Sequence, residues 1–116
     1  MSEEFLHVAE KELREDIAAI EAVLLNCMAD SDVSKHASDI EKHLHKIKGL
    51  APMMGQDDIG NIAALLDKIF KSLSKGIIVA GMYDALKASC QFMRNKLDKK
   101  NPDYSAIRTL LEKIHE

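Results

Sequence analysis

Apolar residues recur every three or four positions along almost the whole chain, and no stretch alternates apolar and polar residues at period two. Helices bury such a pattern and strands do not, so an all-α fold is expected. Five glycines and two prolines leave few breaks in the pattern, which predicts long helices joined by short connectors.

The first helix is predicted over residues 2–30, with Phe5, Ala9, Leu13, Ile20, Leu24 and Cys27 along one face. Ser31 or Asp32 is placed to cap a second, whose core stripe is His36, Ile40, Leu44, Ile47, Ala51 and Met54 and which stops near Gly55. Asp57 or Asp58 caps a third, carrying Ile59, Ile62, Ala63, Leu66, Ile69, Phe70 and Leu73 and closed by Gly76. A fourth, over 78–99, has Val79, Met82, Tyr83, Leu86, Cys90, Met93 and Leu97 at heptad-like spacing. Asn101 caps a short fifth with Pro102 at its first position, where the missing N–H does no harm. Four helices of this length imply one domain over residues 1–116, an antiparallel up-down four-helix bundle with the short fifth helix leaning on it. Its satisfied core stripes predict a monomer.

Charge excludes one class of partner. The net charge of −3 comes from lysines scattered among carboxylates, which form no basic stripe for a phosphate backbone, so nucleic-acid binding is not expected. The start, MSEEFLHVAE, lacks the basic and apolar regions of a signal peptide, and no apolar run approaches the ~18 residues of a membrane span. The expectation is a cytoplasmic protein away from the membrane. Cys27 and Cys90 fit that compartment as reduced core residues on apolar helical faces.

One stretch is costly for a helix: HLHKIKGLAPMMG, residues 43–55. Glycine costs about 1 kcal/mol and proline about 3 kcal/mol in a helix interior relative to alanine, so helix stability did not select them. With zero at the middle of the core stripe, His45 projects at about 140°, towards water, with Lys48 at about 80° and Gly49 at about 180°. Lys48 and Gly49 therefore adjoin the imidazole, one as a cation and the other as a bare patch. A neutral imidazole is a nucleophile at physiological pH, and a nearby ammonium stabilises phosphoryl oxygens, so the trio suits reaction with a phosphoryl group.

The run His45, Lys46, Ile47, Lys48, Gly49, with Gly55 ten positions after the histidine, resembles the H-x-[IL]-K-G-x5-G signature of histidine phosphotransfer (HPt) domains. The similarity extends over nearly the whole chain and is greatest to the amino-terminal phosphotransfer domain of chemotaxis-type histidine kinases. It implies a phosphoryl carrier: His45 accepts phosphate from a histidine kinase and passes it to an aspartate of a response-regulator receiver domain. Lys48 would be the phosphate-facing cation, Gly49 the clearance residue beside the ring, and Gly55 the turn into the next helix. Such a carrier is not an enzyme in its own right; the chain shows no Gly-rich phosphate loop, so ATP and Mg²⁺ belong to its partners and no cofactor is expected.

Three positions depart from that branch. A glutamate that holds the imidazole Nδ1 proton is replaced twenty-two residues after the histidine by Asp67, whose arm is one methylene shorter; a direct contact then requires a helix shift, a water can bridge instead, or the contact fails. A second histidine is replaced by Ala64. Pro52 replaces a small residue and predicts a bend in the signature helix.

The other candidates read as structural. His36 lies on the core stripe and His43 at its edge, about 200° from His45, so the three cannot share a metal and no metal site is expected. Met53 and Met54 are packing residues or part of an adaptable docking surface, and Lys96, Lys99 and Lys100 a solvated helix end. The rival to a phosphoryl carrier is a helical adaptor that binds signalling partners without phosphotransfer, which the presence of His45 argues against.

Overall fold

Ser2 accepts the Phe5 N–H on its Oγ at 3.1 Å and so opens α1, Glu3–Leu24. The computed structural model describes residues 2–115, and among them lie six α-helices and no strand. After α1 come α2 (Asp30–Lys35), α3 (Ala37–Leu50), a turn of 3-10 helix at Pro52–Met54, α4 (Asp57–Leu73), α5 (Met82–Leu97) and α6 (Tyr104–His115).

The all-helical expectation holds, and most departures occur where a short polar side chain captures backbone groups. The first helix stops at Leu24 rather than reaching Asp30. Asp32 Oδ2 accepts the Met28 N–H at 2.8 Å, and Asp30 accepts the N–H groups of Gly81 (2.9 Å) and Tyr83 (2.7 Å). These bonds compete with helix continuation and tie the start of α2 to the start of α5. The helical phase is then broken at His36, which leaves Val33 and Ala37 buried and His36 exposed, so its placement on the core stripe is corrected.

Other boundaries shift for similar reasons. Asp57 and Asp58 lie in the first turn of α4, where they complement the helix dipole, and do not cap it. Asp103, not Asn101, caps the last helix, accepting the Ala106 N–H at 3.0 Å. The fourth predicted helix begins four residues late, at Met82, behind Gly81 with φ +83°. Lys96 pairs with Asp58 at 3.4 Å and is half-buried, so it is not purely a solvated end.

The core forms along complementary stripes. Ala37, Ile40, Leu44, Ile47 and Ala51 of the α3 segment face Ile59, Ile62, Ala63, Leu66, Ile69, Phe70 and Leu73 of α4, all buried. α3 also packs on α1, α1 on α5, and α4 on α5, with α6 laid against α4 and α5. Cys27 and Cys90 are buried and free, and burial pushes the Cys90 thiol up to about 12. No helix among the described residues is long and apolar enough to cross a membrane.

Pro52 does more than bend its helix. α3 ends at Leu50, and Pro52 opens the 3-10 turn that Gly55 closes at φ +78°. The proline ring lies against the buried Gly60 of α4, where an added Cβ would meet Pro52 Cγ at 2.9 Å. Pro52 and Gly60 thus fix how closely α3 and α4 approach at one end. Gly60→Ala should lower stability by about 1–2 kcal/mol in urea unfolding, the overpacking outweighing alanine's helix preference. In a Pro52→Ala background the same change should be neutral or stabilising; equal effects in both backgrounds would contradict the contact.

Candidate functional site

α3 carries two histidine–lysine pairs at i, i+3 spacing, His43 with Lys46 and His45 with Lys48. Each pair meets a buried aspartate from a neighbouring helix. On one flank Asp16 of α1 accepts from Lys46 Nζ at 3.1 Å, and its Oδ1 lies 2.9 Å from His43 Nδ1. On the other, Asp67 Oδ2 of α4 lies 3.4 Å from His45 Nδ1 and accepts from Lys48 Nζ at 3.2 Å. Exposure separates them. The His43 side chain is 19% exposed and the His45 side chain 61%, so only the second ring is open to an incoming group.

The His45–Asp67 contact is therefore direct, though longer than the ~2.7–3.2 Å of a typical N–H···O bond, as a carboxylate arm one methylene short dictates. A hydrogen bond from Nδ1–H to this carboxylate leaves the proton off Nε2, the nitrogen free to act as nucleophile. A Cβ added at Gly49 meets nothing within 4 Å, so the space beside the ring is open on this chain's side. Met53 is exposed and Met54 half-buried near the end of α3.

Two members of the cluster were not among the residues singled out from sequence. Lys71, one turn after Asp67, donates to Oδ2 at 3.0 Å. Glu41, one turn before His45, brings its carboxylate to the same place: donor atoms of Glu41, His45 and Asp67 lie within 4.8 Å of one another. Their i, i+4 spacing from a named residue is the one local signal that points to them. Glu41 and Asp67 thus place two carboxylates beside His45. The metal set first weighed, His36, His43 and His45, does not assemble, since His36 is exposed at a helix junction and the other two face different aspartates. Glu41, His45 and Asp67 have the spacing of possible metal ligands, but the ammonium groups of Lys48 and Lys71 already sit on Asp67 and oppose a further cation.

The electrostatics follow from burial. Loss of water disfavours the Asp67 anion, but contacts with Glu41, Lys71, Lys48 and His45 outweigh this and hold its carboxyl well below the usual range. The pairing with Asp67 raises the Lys71 ammonium in turn.

The chain thus presents the solvent-facing imidazole of His45 on a buried carboxylate, flanked by an ammonium and a bare glycine. The model of the Hpt domain family matches residues 4–116, and the chain belongs to that family. Hpt domains are phosphocarriers of two-component signalling that interact with kinases and receiver domains, and are not themselves catalysts. No curated protein and no solved structure matches the chain.

Because the Asp67 carboxyl is lowered in the folded state, its contribution to stability is present above the unfolded carboxylate value of about 3.9 and is lost as pH falls below it. Urea unfolding between pH 6 and pH 3 should show a decline that is smaller in Asp67→Asn by about 1 kcal/mol. Parallel declines in the two proteins would contradict a depressed Asp67.

Proposed function

We propose that His45 is the phosphoacceptor of a two-component relay, taking phosphate from a histidine kinase and giving it to an aspartate of a receiver domain. The supporting observation is the exposed ring whose Nδ1 lies against a buried carboxylate. The His45 Nε2 lone pair attacks the γ-phosphorus of ATP held by the kinase; a P–N bond forms as the P–O bond to ADP breaks. Asp67 keeps Nδ1–H and offsets the positive charge the ring acquires. Lys48 turns from Asp67 towards the phosphoryl oxygens, a short movement for a flexible side chain. In the second step an aspartate oxygen of the receiver attacks phosphorus, and the P–N electron pair returns to Nε2. Mg²⁺ and nucleotide enter with the partners.

Gly49 keeps the approach to the ring clear for a partner's surface, and exposed Met53 lies where an adaptable contact is useful. We read the helix packing as the antiparallel up-down four-helix bundle with α6 outside it, working as a cytoplasmic monomer. Similarity to the chemotaxis branch is supported by a carboxylate twenty-two residues after the histidine that reaches the ring.

His45→Gln should abolish acid-labile, base-stable phosphate incorporation from a cognate kinase while leaving helical circular dichroism unchanged. Asp67→Ala should slow labelling about tenfold, equivalent to ~1.4 kcal/mol in the barrier, without removing it. Undiminished labelling of the His45 variant would overturn the assignment.

A further inference from the structure

Asp67 uses its two oxygens unequally. Oδ2 takes Lys71, Lys48 and His45 at 3.0, 3.2 and 3.4 Å, whereas Oδ1 is buried without a hydrogen-bond partner among the described residues. A buried carboxylate oxygen left bare is uncommon and calls for a donor. Lysines and imidazole are already committed to the other oxygen. The remaining polar group at hand is the half-buried Glu41, whose carboxylate shares the cluster with Asp67 and His45.

Two ionised carboxylates repel and cannot hydrogen-bond, but one proton between them supplies the missing donor. We propose that Glu41 is a positioning residue that carries this proton, its carboxyl O–H donating to Asp67 Oδ1 and so holding the carboxylate with Oδ2 towards His45. This rests on His45 being the phosphoacceptor.

The charge balance explains why the proton belongs on Glu41. Asp67 has two ammonium groups on Oδ2 and stays ionised, whereas the groups facing Glu41 are His45 on α3 and Asp67 and Lys71 from α4. Hydrogen bonding to Asp67, followed by burial, raises the Glu41 carboxyl above its ordinary value, and Lys71 and His45 only moderate the rise. With Glu41 neutral, the Asp67 anion is outnumbered by the Lys48 and Lys71 cations, and the local field favours an incoming phosphoryl dianion. Ionising Glu41 adds a negative charge beside the ring and removes the donor that fixes Asp67.

The consequences are separable. Glutamine retains an N–H donor for Oδ1 and alanine does not, so with phosphoramidate as a small phosphodonor Glu41→Gln should label His45 within about twofold of wild type below the Glu41 midpoint, and Glu41→Ala about tenfold more slowly. The ratio of wild-type to Glu41→Gln rate should fall as pH rises through the Glu41 midpoint. Carbon-13 titration of the full chain should place that midpoint above the ~4.3 of an ordinary glutamate and bring it down in Asp67→Asn. A Glu41 that titrates at or below the ordinary value, a flat rate ratio, or equal rates for the alanine and glutamine variants would overturn the proposal. The carbon titration does not depend on phosphorylation: a wild-type His45 that takes up no phosphate defeats the functional reading, whereas a labelled His45 beside an ordinary Glu41 defeats this one alone.

Discussion

The buried carboxylate of Asp67 is the point on which the site depends. It reaches across from α4 to α3 and collects an imidazole and two ammonium groups on one oxygen. Removing any donor would leave a less compensated charge in a place from which water is excluded, and that cost is what fixes the cluster. In the proposed relay Asp67 does two things together: it sets which nitrogen of His45 is free, and it keeps Lys48 within reach of that ring. Ala63 and Leu66 on α4 and Leu44 and Ile47 on α3 are, like Asp67, fully buried.

The approach of α3 to α4 supports this arrangement from a distance. Gly60 and Asp67 lie two helical turns apart on α4, the first against the Pro52 ring and the second against His45. A proline that would be a liability inside a helix is used here to end one and to seat against a position with no side chain. The shorter arm of aspartate is accommodated at 3.4 Å, so the spacing of the two helices is what makes the contact possible. On the opposite flank, Asp16 with His43 and Lys46 repeats the pattern with the ring half-buried, where it links α1 to α3. Chemistry of the same type is present twice, and exposure decides which copy can meet a partner.

The sequence carried the helical class, the face of His45, and the neighbours Lys48 and Gly49, because all of these follow from local periodicity and spacing. Asp67 was reached only through family resemblance, since nothing local distinguishes it from a surface carboxylate. Glu41 and Lys71 escaped because each reads as an ordinary charged helix residue until the facing helix is in place. The stop at Leu24 and the junction at His36 were hidden for a different reason: Asp30 and Asp32 capture backbone N–H groups, two of them more than fifty residues away at Gly81 and Tyr83, and tertiary bonds of that kind leave no periodic signature. Gly60 likewise gains its meaning from a proline on another segment.

Nitrogen-15 NMR of the His45 ring tests the central claim most directly. With Asp67 holding Nδ1–H, the neutral imidazole should show its proton on Nδ1 and an unprotonated Nε2, a preference lost in Asp67→Asn. A wild-type ring protonated on Nε2, or one whose tautomer ignores Asp67, would contradict it.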